Sequence, residues 1–261
     1  MKKPFSILHI PHASLAIPAH VRPTLLLTDE ELLQELQRLT DRYTEELFDY
    51  SSDSVARVVF PVSRLVVDPE RFPDDNQEPM AAHGMGLIYT KTTDGALLRN
   101  PISSASRQSL INEFYAPHHK ALTLAVESAL IDWGSCLIID CHSFPSIPFP
   151  YEKLSELARP DICLGTDPYH TPEWLYDHAL TIFNAAGLSV SRNDPFQGTL
   201  VPSLHFQHDK RVMSIMIEIN RKLYMDEATG GRLASFQDIH SRLTSLLYHL
   251  VMTAHAAISQ K

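Results

Sequence analysis

The sequence predicts an α/β fold in which a mainly parallel or mixed β-sheet packs against helices. Extended segments alternate with amphipathic helical segments along the chain, which is typical of this class. Residues 135–140 form an almost continuous apolar run, as expected of a strand that is buried on both faces. Residues 211–219 alternate so that one face of a strand is wholly apolar. The 261 residues contain no Gly/Ser-rich linker, and we therefore expect a single domain, residues 1–261.

The amino-terminal half is predicted to contain a first strand, a helix and further extended segments. The strand covers residues 5–10 and ends at Pro11. Thr28 and Glu31 fit a capping box that starts a helix, whose apolar residues continue at helical spacing as far as Leu47. Three segments that follow are rich in β-branched or apolar residues and are predicted to be extended: 55–62, 64–67 and 87–89.

The carboxy-terminal half continues the alternation of helices and strands. A long helix is predicted over residues 104–129, with Pro117 as a place where it kinks or restarts. The remaining elements follow in order: strands at 135–140 and 162–164, a helix at 173–186, a strand at 211–219 and a closing helix at 235–257. Active sites of such sheets lie beyond the carboxyl ends of the strands.

Composition excludes several classes of function. The formal net charge is -9, without a basic run, which argues against a general binder of nucleic acids or anionic membranes. The chain has only 9 Gly and no glycine-rich phosphate-binding motif. We find no run of about 18 apolar residues and therefore expect no membrane span. Three cysteines without a C-x-x-C pair fit a reducing compartment, and we expect a cytoplasmic protein.

Polar side chains gather where the predicted strands end. His12 follows the first strand, His142 follows the 135–140 strand, and Glu218 closes the 211–219 strand. Hydrolytic zinc sites use three ligands from His, Asp and Glu, and a separate carboxylate moves the proton. His12, His142 and a carboxylate are therefore candidate ligands, with Glu218 as a candidate base. Arg64 and Arg71 are candidates to bind a substrate carboxylate, because a guanidinium matches it bidentately.

Structural roles are open for the same residues. Each histidine could simply satisfy hydrogen bonds, and Glu218 could belong to a salt bridge. The group Arg64, Asp68 and Arg71 could be a structural ion-pair cluster. The adjacent pair 118–119, within a helical pattern, is expected on a solvated face.

Five segments resemble the N-formylglutamate amidohydrolase family. They occur in the family's order and cover most of the chain up to about residue 225: HIPHAS at 9–14, TDRYTEELF at 40–48, SRLVVD at 63–68, DCHS at 140–143 and EINR at 218–221. The resemblance implies a fold similar to zinc carboxypeptidases, with a mixed central sheet flanked by helices. It also implies one catalytic zinc ion and hydrolysis of N-formyl-L-glutamate to formate and L-glutamate, a step of histidine breakdown.

The resemblance assigns roles to individual residues. The implied zinc ligands are His12, Asp41 and His142, and Glu218 is the implied catalytic carboxylate. Arg64 is implied in catalysis and in substrate binding, the latter together with three further residues: Asp68, Arg71 and Asn220. Helical periodicity alone places Asp41 about 135° from the apolar stripe and predicts that it is exposed.

One position departs from the family pattern and keeps alternatives open. Glu70 occupies a place where the family usually has Asn, and an acidic group beside Arg71 would weaken the binding of a dianionic substrate. This favours a related hydrolase, acting on a carboxypeptidase-like or N-carbamoyl substrate. Two histidines and one carboxylate also suit iron(II), as in a non-haem oxygenase. A metal-free binding protein of the same fold is the non-enzyme alternative.

Overall fold

A six-stranded mixed sheet forms the centre of the molecule. The computed structural model describes residues 4–50, 52, 54–152 and 158–259. The strands are β1 (Ser6–Ile10), β2 (Val55–Val59), β3 (Cys136–Phe144), β4 (Ile162–Gly165), β5 (Val190–Arg192) and β6 (Val212–Asn220). The helices are α1 (Asp29–Leu39), α2 (Thr44–Leu47), α3 (Ser104–Leu110), α4 (Ala116–Trp133), α5 (Glu173–Ala185) and α6 (Phe236–Ser259).

The strand order is β2-β1-β3-β6-β4-β5. All neighbouring strands are parallel except β4, which runs antiparallel to β6. The two most apolar segments, β3 and β6, occupy the centre of the sheet, and every residue in both is buried. A central strand is covered on both faces, which explains why its sequence has few exposed polar positions.

Helices cover both faces of the sheet, and each face has its own apolar core. On one face, Leu8, Ile139 and Ile215 belong to the core formed with α2, α5 and α6. On the other face, Ile7 and Ile138 pack with residues of α4. We call these the α6 face and the α4 face. The expected α/β fold, with a mixed sheet flanked on both sides, is confirmed.

One central strand is longer than the sequence predicts, and the other is shifted by one residue. The predicted strand 135–140 extends to Phe144 as β3, and β6 extends to Asn220. His142 therefore lies within a strand rather than after it, as Asp140 and Glu218 do. Since β3 and β6 pair over nine positions, the backbone groups of these polar positions are satisfied by the sheet, and their side chains are held in fixed directions.

Two predicted strands are wrong. Residues 64–67 form a turn, in which the amide of Val66 donates to the carbonyl of Ser63. Residues 87–89 also lie outside regular strands. Their apolar side chains are buried in two smaller cores. The apolar composition of these segments therefore indicates that they are buried, although they do not form strands.

The predicted helices depart from a regular α-helix at two places. A π-helical turn at Ile111–Tyr115 joins α3 to α4 without a break in the helical backbone, and Pro117, which lacks the N–H of a helix bond, follows this turn directly. The first helix ends at Leu39, and a break precedes α2, with Tyr43 in the left-handed region at φ 70°. No described helix is long and apolar enough to cross a membrane.

Candidate active site

Strand register brings the predicted site residues together on the α4 face. His142 of β3 stands opposite Glu218 of β6, and His9 of β1 stands opposite Asp140 of β3. His12 lies two residues beyond the end of β1 at the same edge. Because parallel strands present their carboxyl ends at one edge of the sheet, residues far apart in sequence meet there. The His12 and His142 rings lie 5.1 Å apart, centroid to centroid.

A group of three side chains could hold a metal ion: His12, Glu70 and His142. Glu70 Oε2 lies 3.1 Å from His142 Nε2 and 3.9 Å from His12 Nδ1. In a tetrahedral zinc site with bonds near 2 Å, ligand atoms lie roughly 3.3 Å apart, and these two distances bracket that value. His12 Nδ1 and Glu70 Oε1 are buried and have no hydrogen-bond partner. Buried polar atoms without partners are costly, and a cation among them would remove that cost.

Asp41 lies beside this group but faces an arginine. Its Oδ1 is 2.9 Å from Arg221 Nη2, and its Oδ2 accepts a hydrogen bond from His142 Nδ1 at 3.1 Å. Burial would raise the pKa of Asp41, but His12, His142 and Arg221 lower it, so it is ionised. A carboxylate held in this way orients a ligating histidine, which is a common supporting role around metals.

The periodicity-based expectation that Asp41 is exposed is wrong. Asp41 is 2% exposed, because α1 ends at Leu39 and the chain then turns towards the sheet edge. The amide of Asp41 donates to the carbonyl of His12 at 3.0 Å, which fastens this break to the end of β1. The helical wheel does not apply to a residue beyond the end of the helix.

Asp68 is buried beneath the cavity wall and orients His12 and Arg64, which line the cavity. Its Oδ1 accepts a hydrogen bond from His12 Nε2 at 2.9 Å, and its Oδ2 accepts from Arg64 Nη2 at 2.8 Å and from Tyr89 Oη at 2.6 Å. Burial opposes ionisation of Asp68, but Arg64, His12 and Arg71 hold its pKa well below the ordinary value. With Nε2 engaged, His12 turns its Nδ1 towards Asp41 Oδ2 at 3.7 Å and Glu70 Oε2 at 3.9 Å.

Glu218 has the environment of an acid–base carboxyl group. It is 7% exposed and lines the main cavity, and its Oε2 has no hydrogen-bond partner. Burial raises the pKa of Glu218 to about 8, opposed by His142 and reinforced by Asp41 and Glu70. A carboxyl group with a pKa near neutrality can both accept and return a proton. A structural salt bridge, the alternative role, is absent for Glu218 within the described residues.

The cavity in front of these groups has a volume of about 790 Å³ and is large enough for a small amino-acid derivative. Arg64 and Arg71 both line it, together with the aromatic side chains of Phe149, Tyr151 and Phe196. Arg71 Nε donates to the carbonyl of Met85 at 3.3 Å, and its nearest carboxylate, that of Asp68, is 3.7 Å away. Arg71 is therefore the more weakly paired of the two arginines.

Two predicted substrate-binding residues do not line this cavity. Asp68 is fully buried behind Arg64 and His12. Asn220 is also fully buried, and its amide donates to the carbonyl of Pro160 at 2.9 Å while its oxygen accepts from the amide of Lys222. In these positions neither side chain can contact a substrate in the cavity directly, because the polar atoms of both are already hydrogen-bonded within the protein.

Sequence reasoning missed a second histidine network and misplaced two histidines. His9 Nδ1 lies 2.8 Å from Asp140 Oδ1, and His9 Nε2 lies 2.8 Å from His118 Nε2. His118 is therefore buried on the inner side of α4, and burial lowers its pKa to about 2. His119 hydrogen-bonds the carbonyl of Pro69 at 2.7 Å. The expectation of a solvated 118–119 pair is wrong; the apolar residues of the same α4 stripe, such as Leu122, carried the signal for His118.

Glu70 also differs from its sequence-based interpretation. Its carboxylate turns to the histidines, with Oε1 3.7 Å from His9 Nδ1, in addition to its contacts with His12 and His142. The expected conflict between Glu70 and Arg71 as neighbouring groups is therefore reduced, because the Glu70 carboxylate lies against histidine nitrogens.

Comparisons with known proteins agree with this architecture. A crystal structure of N-formylglutamate amidohydrolase from Ralstonia eutropha superposes with a TM-score of 0.83 at 24% identity, covering 100% of this chain and 96% of that chain. A gene product of Agrobacterium tumefaciens superposes with a TM-score of 0.63 at 21% identity, covering 95% and 92% of the two chains. Both likenesses show the fold.

A bacteriophage poly-gamma-glutamate hydrolase aligns with a TM-score of only 0.38 at 11% identity, covering 95% of this chain and 84% of that chain, which is too weak to argue from. No curated protein sequence matches the chain. The family model for N-formylglutamate amidohydrolase matches residues 6–225, which include all five segments that carry the resemblance. The chain therefore belongs to the N-formylglutamate amidohydrolase family.

Proposed function

We propose that this protein is a zinc-dependent amidohydrolase that converts N-formyl-L-glutamate and water to formate and L-glutamate. One observation carries the proposal: the metal-capable group His12, Glu70 and His142 adjoins the unpartnered carboxyl group of Glu218 in one cavity. Family membership supports amide hydrolysis and removes support from the oxygenase alternative.

Zinc fits the donor set, which combines two imidazoles with one carboxylate. We propose Glu70 as the carboxylate ligand in place of Asp41, because Asp41 is already paired with Arg221 while Glu70 has a buried oxygen without a partner. When bound, zinc supplies Lewis-acid polarisation of the amide carbonyl and a lowered pKa of water. In this arrangement Asp41 and Asp68 orient His142 and His12 respectively.

Glu218 is proposed to move the proton of the reaction. Its carboxylate accepts a proton from the attacking water and delivers that proton to the nitrogen of the leaving glutamate, so the carboxylate is regenerated at the end. Its burial and its missing hydrogen-bond partner keep it free for this exchange. Arg64, fixed by Asp68 and Tyr89, faces the same cavity and is proposed to stabilise the developing negative charge on the carbonyl oxygen.

Arg71 is proposed to bind a carboxylate of the substrate. It lines the cavity and lies 3.7 Å or more from the carboxylates of Asp68 and Glu78. A substrate carboxylate in hydrogen-bond contact would be a closer partner than either.

The three cysteines are free and buried, and on that basis we propose that the enzyme works in a reducing cytoplasm.

Formate release from a panel of substrates tests the proposal. N-formyl-Glu should be hydrolysed at least about tenfold faster, in kcat/KM, than N-formyl-Gln or N-formyl-Met, since loss of one charge-assisted hydrogen bond costs about that factor. Arg71→Gln should remove most of the difference, whereas Arg242→Gln, an exposed arginine of α6 paired with Asp238, should leave it unchanged.

Equal rates across the panel would overturn the glutamate specificity. Faster hydrolysis of N-carbamoyl-Glu than of N-formyl-Glu would favour the N-carbamoyl alternative. A protein that binds no metal and hydrolyses none of these amides would support the binding-protein alternative.

A further inference from the structure

A second group of metal-capable side chains lies next to the proposed zinc position. His9, Glu70 and Asp140 each offer one ligand atom, and these atoms all lie within 4.8 Å of one another. His9 Nδ1 is 2.8 Å from Asp140 Oδ1 and 3.7 Å from Glu70 Oε1. His9 and Asp140 are 0% and 1% exposed. The group therefore combines one buried imidazole with two carboxylates.

The two carboxylate oxygens of Glu70 face different groups. Oε2 is the oxygen that lies near His12 and His142. Oε1 lies 3.7 Å from His9 Nδ1, is buried, and has no hydrogen-bond partner among the residues that the structure describes. A buried carboxylate oxygen without a donor is costly. A cation between Oε1 and His9 would remove this cost and would leave Oε2 available to the zinc ion.

His9 and Asp140 are oriented as metal ligands usually are. A ligating histidine donates the N–H of its other ring nitrogen to a fixed acceptor, and a ligating carboxylate is itself hydrogen-bonded. His9 Nε2 lies 2.8 Å from His118 Nε2, which can accept such a proton. Asp140 Oδ2 accepts from the amide of Leu200 at 2.9 Å, and this leaves Oδ1 facing His9 and, at 3.2 Å, His142 Nε2.

The spacing of the ligand atoms favours a six-coordinate ion. Neighbouring ligands of an octahedral ion with bonds near 2.0–2.1 Å lie about 2.9 Å apart, whereas those of tetrahedral zinc lie about 3.3 Å apart. The 2.8 Å between His9 Nδ1 and Asp140 Oδ1 is closer to the octahedral value. Carboxylate and water ligands suit Mn²⁺, and the imidazole disfavours Mg²⁺ and Ca²⁺, which bind through oxygen.

We propose that His9, Asp140 and Glu70 bind a second divalent cation of the Mn²⁺ type, which Glu70 bridges to the zinc ion. This proposal rests on the proposed function, because the two ions share Glu70. Two metal ions in one site lie roughly 3.5–4 Å apart. The second ion must replace the hydrogen bond between His9 and Asp140, whereas His12 Nδ1 has no partner to lose. It therefore binds more weakly than zinc and leaves on dialysis.

Manganese binding to the zinc-loaded and dialysed protein tests the proposal. Mn²⁺ in solution has a strong EPR signal that weakens on binding, so a titration gives the number of bound ions. We expect one manganese ion per chain, with one zinc ion retained. His9→Gln and Asp140→Asn should each weaken manganese binding by about 100-fold or more, since even loss of an outer partner costs about 10–100-fold. His20→Gln, an exposed histidine paired with Glu113, should leave it unchanged.

Three results would overturn the second cation site and leave the proposed function intact: retained zinc without bound manganese, manganese that only displaces zinc, or manganese binding that survives both substitutions. Wild-type protein that holds no zinc would contradict the proposed function, and the manganese titration would still decide the second site.

Crystals of the wild-type protein soaked in Mn²⁺ decide the matter if the buried variants do not fold. Anomalous maps at the manganese and zinc absorption edges separate the two ions. The proposal expects a manganese peak within coordination distance of His9 Nδ1, Asp140 Oδ1 and Glu70 Oε1. No manganese peak, or one only at the His12 and His142 position, contradicts it.

Discussion

The two faces of the central sheet are built from alternate residues of the same strands, yet they differ sharply in chemistry. In β6, the row on the α6 face reads Met213, Ile215, Ile217 and Ile219. The row on the α4 face ends in Glu218 and Asn220. The same contrast holds in β3, where Ile139 and Cys141 face α6 while Asp140 and His142 face α4. In β1, Leu8 and Ile10 face α6, and His9 faces α4.

This difference separates stability from chemistry within one sheet. The α6 face is apolar along β6 and along β3 as far as Cys141, and it contributes burial. The α4 face is apolar only near the amino ends of the strands, where α4 packs on Ile7, Ile138 and Val212. Towards the carboxyl ends of the strands, the α4 face consists of buried carboxylates and histidines. These groups need hydrogen-bond or metal partners to be stable when buried. Substitutions on the two faces should therefore affect different measurements.

The largest effect is expected from Glu218→Gln on the α4 face. The amide keeps the shape of the side chain but cannot accept the proton, so kcat should fall by about 10³-fold or more while one metal ion per chain is retained. Steady-state formate release and elemental analysis measure the two quantities. Glu173→Gln, an exposed carboxylate of α5 paired with Arg192, should keep full activity. Full activity of the Glu218→Gln protein would contradict its proposed role.

Ile215→Ala removes a buried side chain from the α6 face and should affect stability rather than activity. Ile215 is fully buried, and removal of its methyl groups should lower the free energy of unfolding by about 2–5 kcal/mol. Below the unfolding transition the metal content and kcat should stay close to those of the wild type. Denaturant titration measures the loss, and Ile215→Val should cost only about 1 kcal/mol. A large fall in kcat of the folded Ile215→Ala protein would show that the two faces are not separable in this way.

A smaller effect follows from the ionisation of Glu218 in the metal-free protein. The folded state holds the proton up to a pKa of about 8, against an ordinary glutamate pKa of 4.5, so the stabilisation is complete below pH 4.5 and is lost as the pH rises through 8. Between pH 6 and 9, wild type should lose on the order of 2 kcal/mol relative to Glu218→Gln. Chelator-treated protein should be used, and parallel stability curves of the two proteins would contradict the buried-carboxyl assignment.

The contrast between the faces also shows what the sequence could predict. The apolar row of β6 is visible in the sequence, because strand periodicity records burial directly. His12, His142 and Glu218 were predicted from their places near strand ends, and the structure brings them together. Asp41 required the resemblance to be noticed at all, since its burial depends on where α1 ends and on the turn at Tyr43.

Other features of the site and the fold are not indicated by any local sequence pattern. The contacts of Glu70 with His12 and His142 depend on how the loop after β2 folds back over the sheet edge. The burial of His118 depends on the rotation of α4 about its axis, and its partner His9 lies 109 residues away in sequence. Segment 64–67 has the composition of a strand but is buried as a turn, because the surrounding loops provide the apolar cover that a sheet would otherwise supply.

The central claim is that the metal-capable end of the α4 face uses Glu70 as its carboxylate, with Asp41 as a support. Zinc affinity measured by chelator competition for Glu70→Gln and Asp41→Asn tests it most directly, because both variants replace a carboxylate by an amide of the same shape. We expect Glu70→Gln to lose zinc on dialysis, and Asp41→Asn to retain one ion with affinity weakened about 10–100-fold. Retention by Glu70→Gln together with loss by Asp41→Asn would contradict the claim and make Asp41 the ligand.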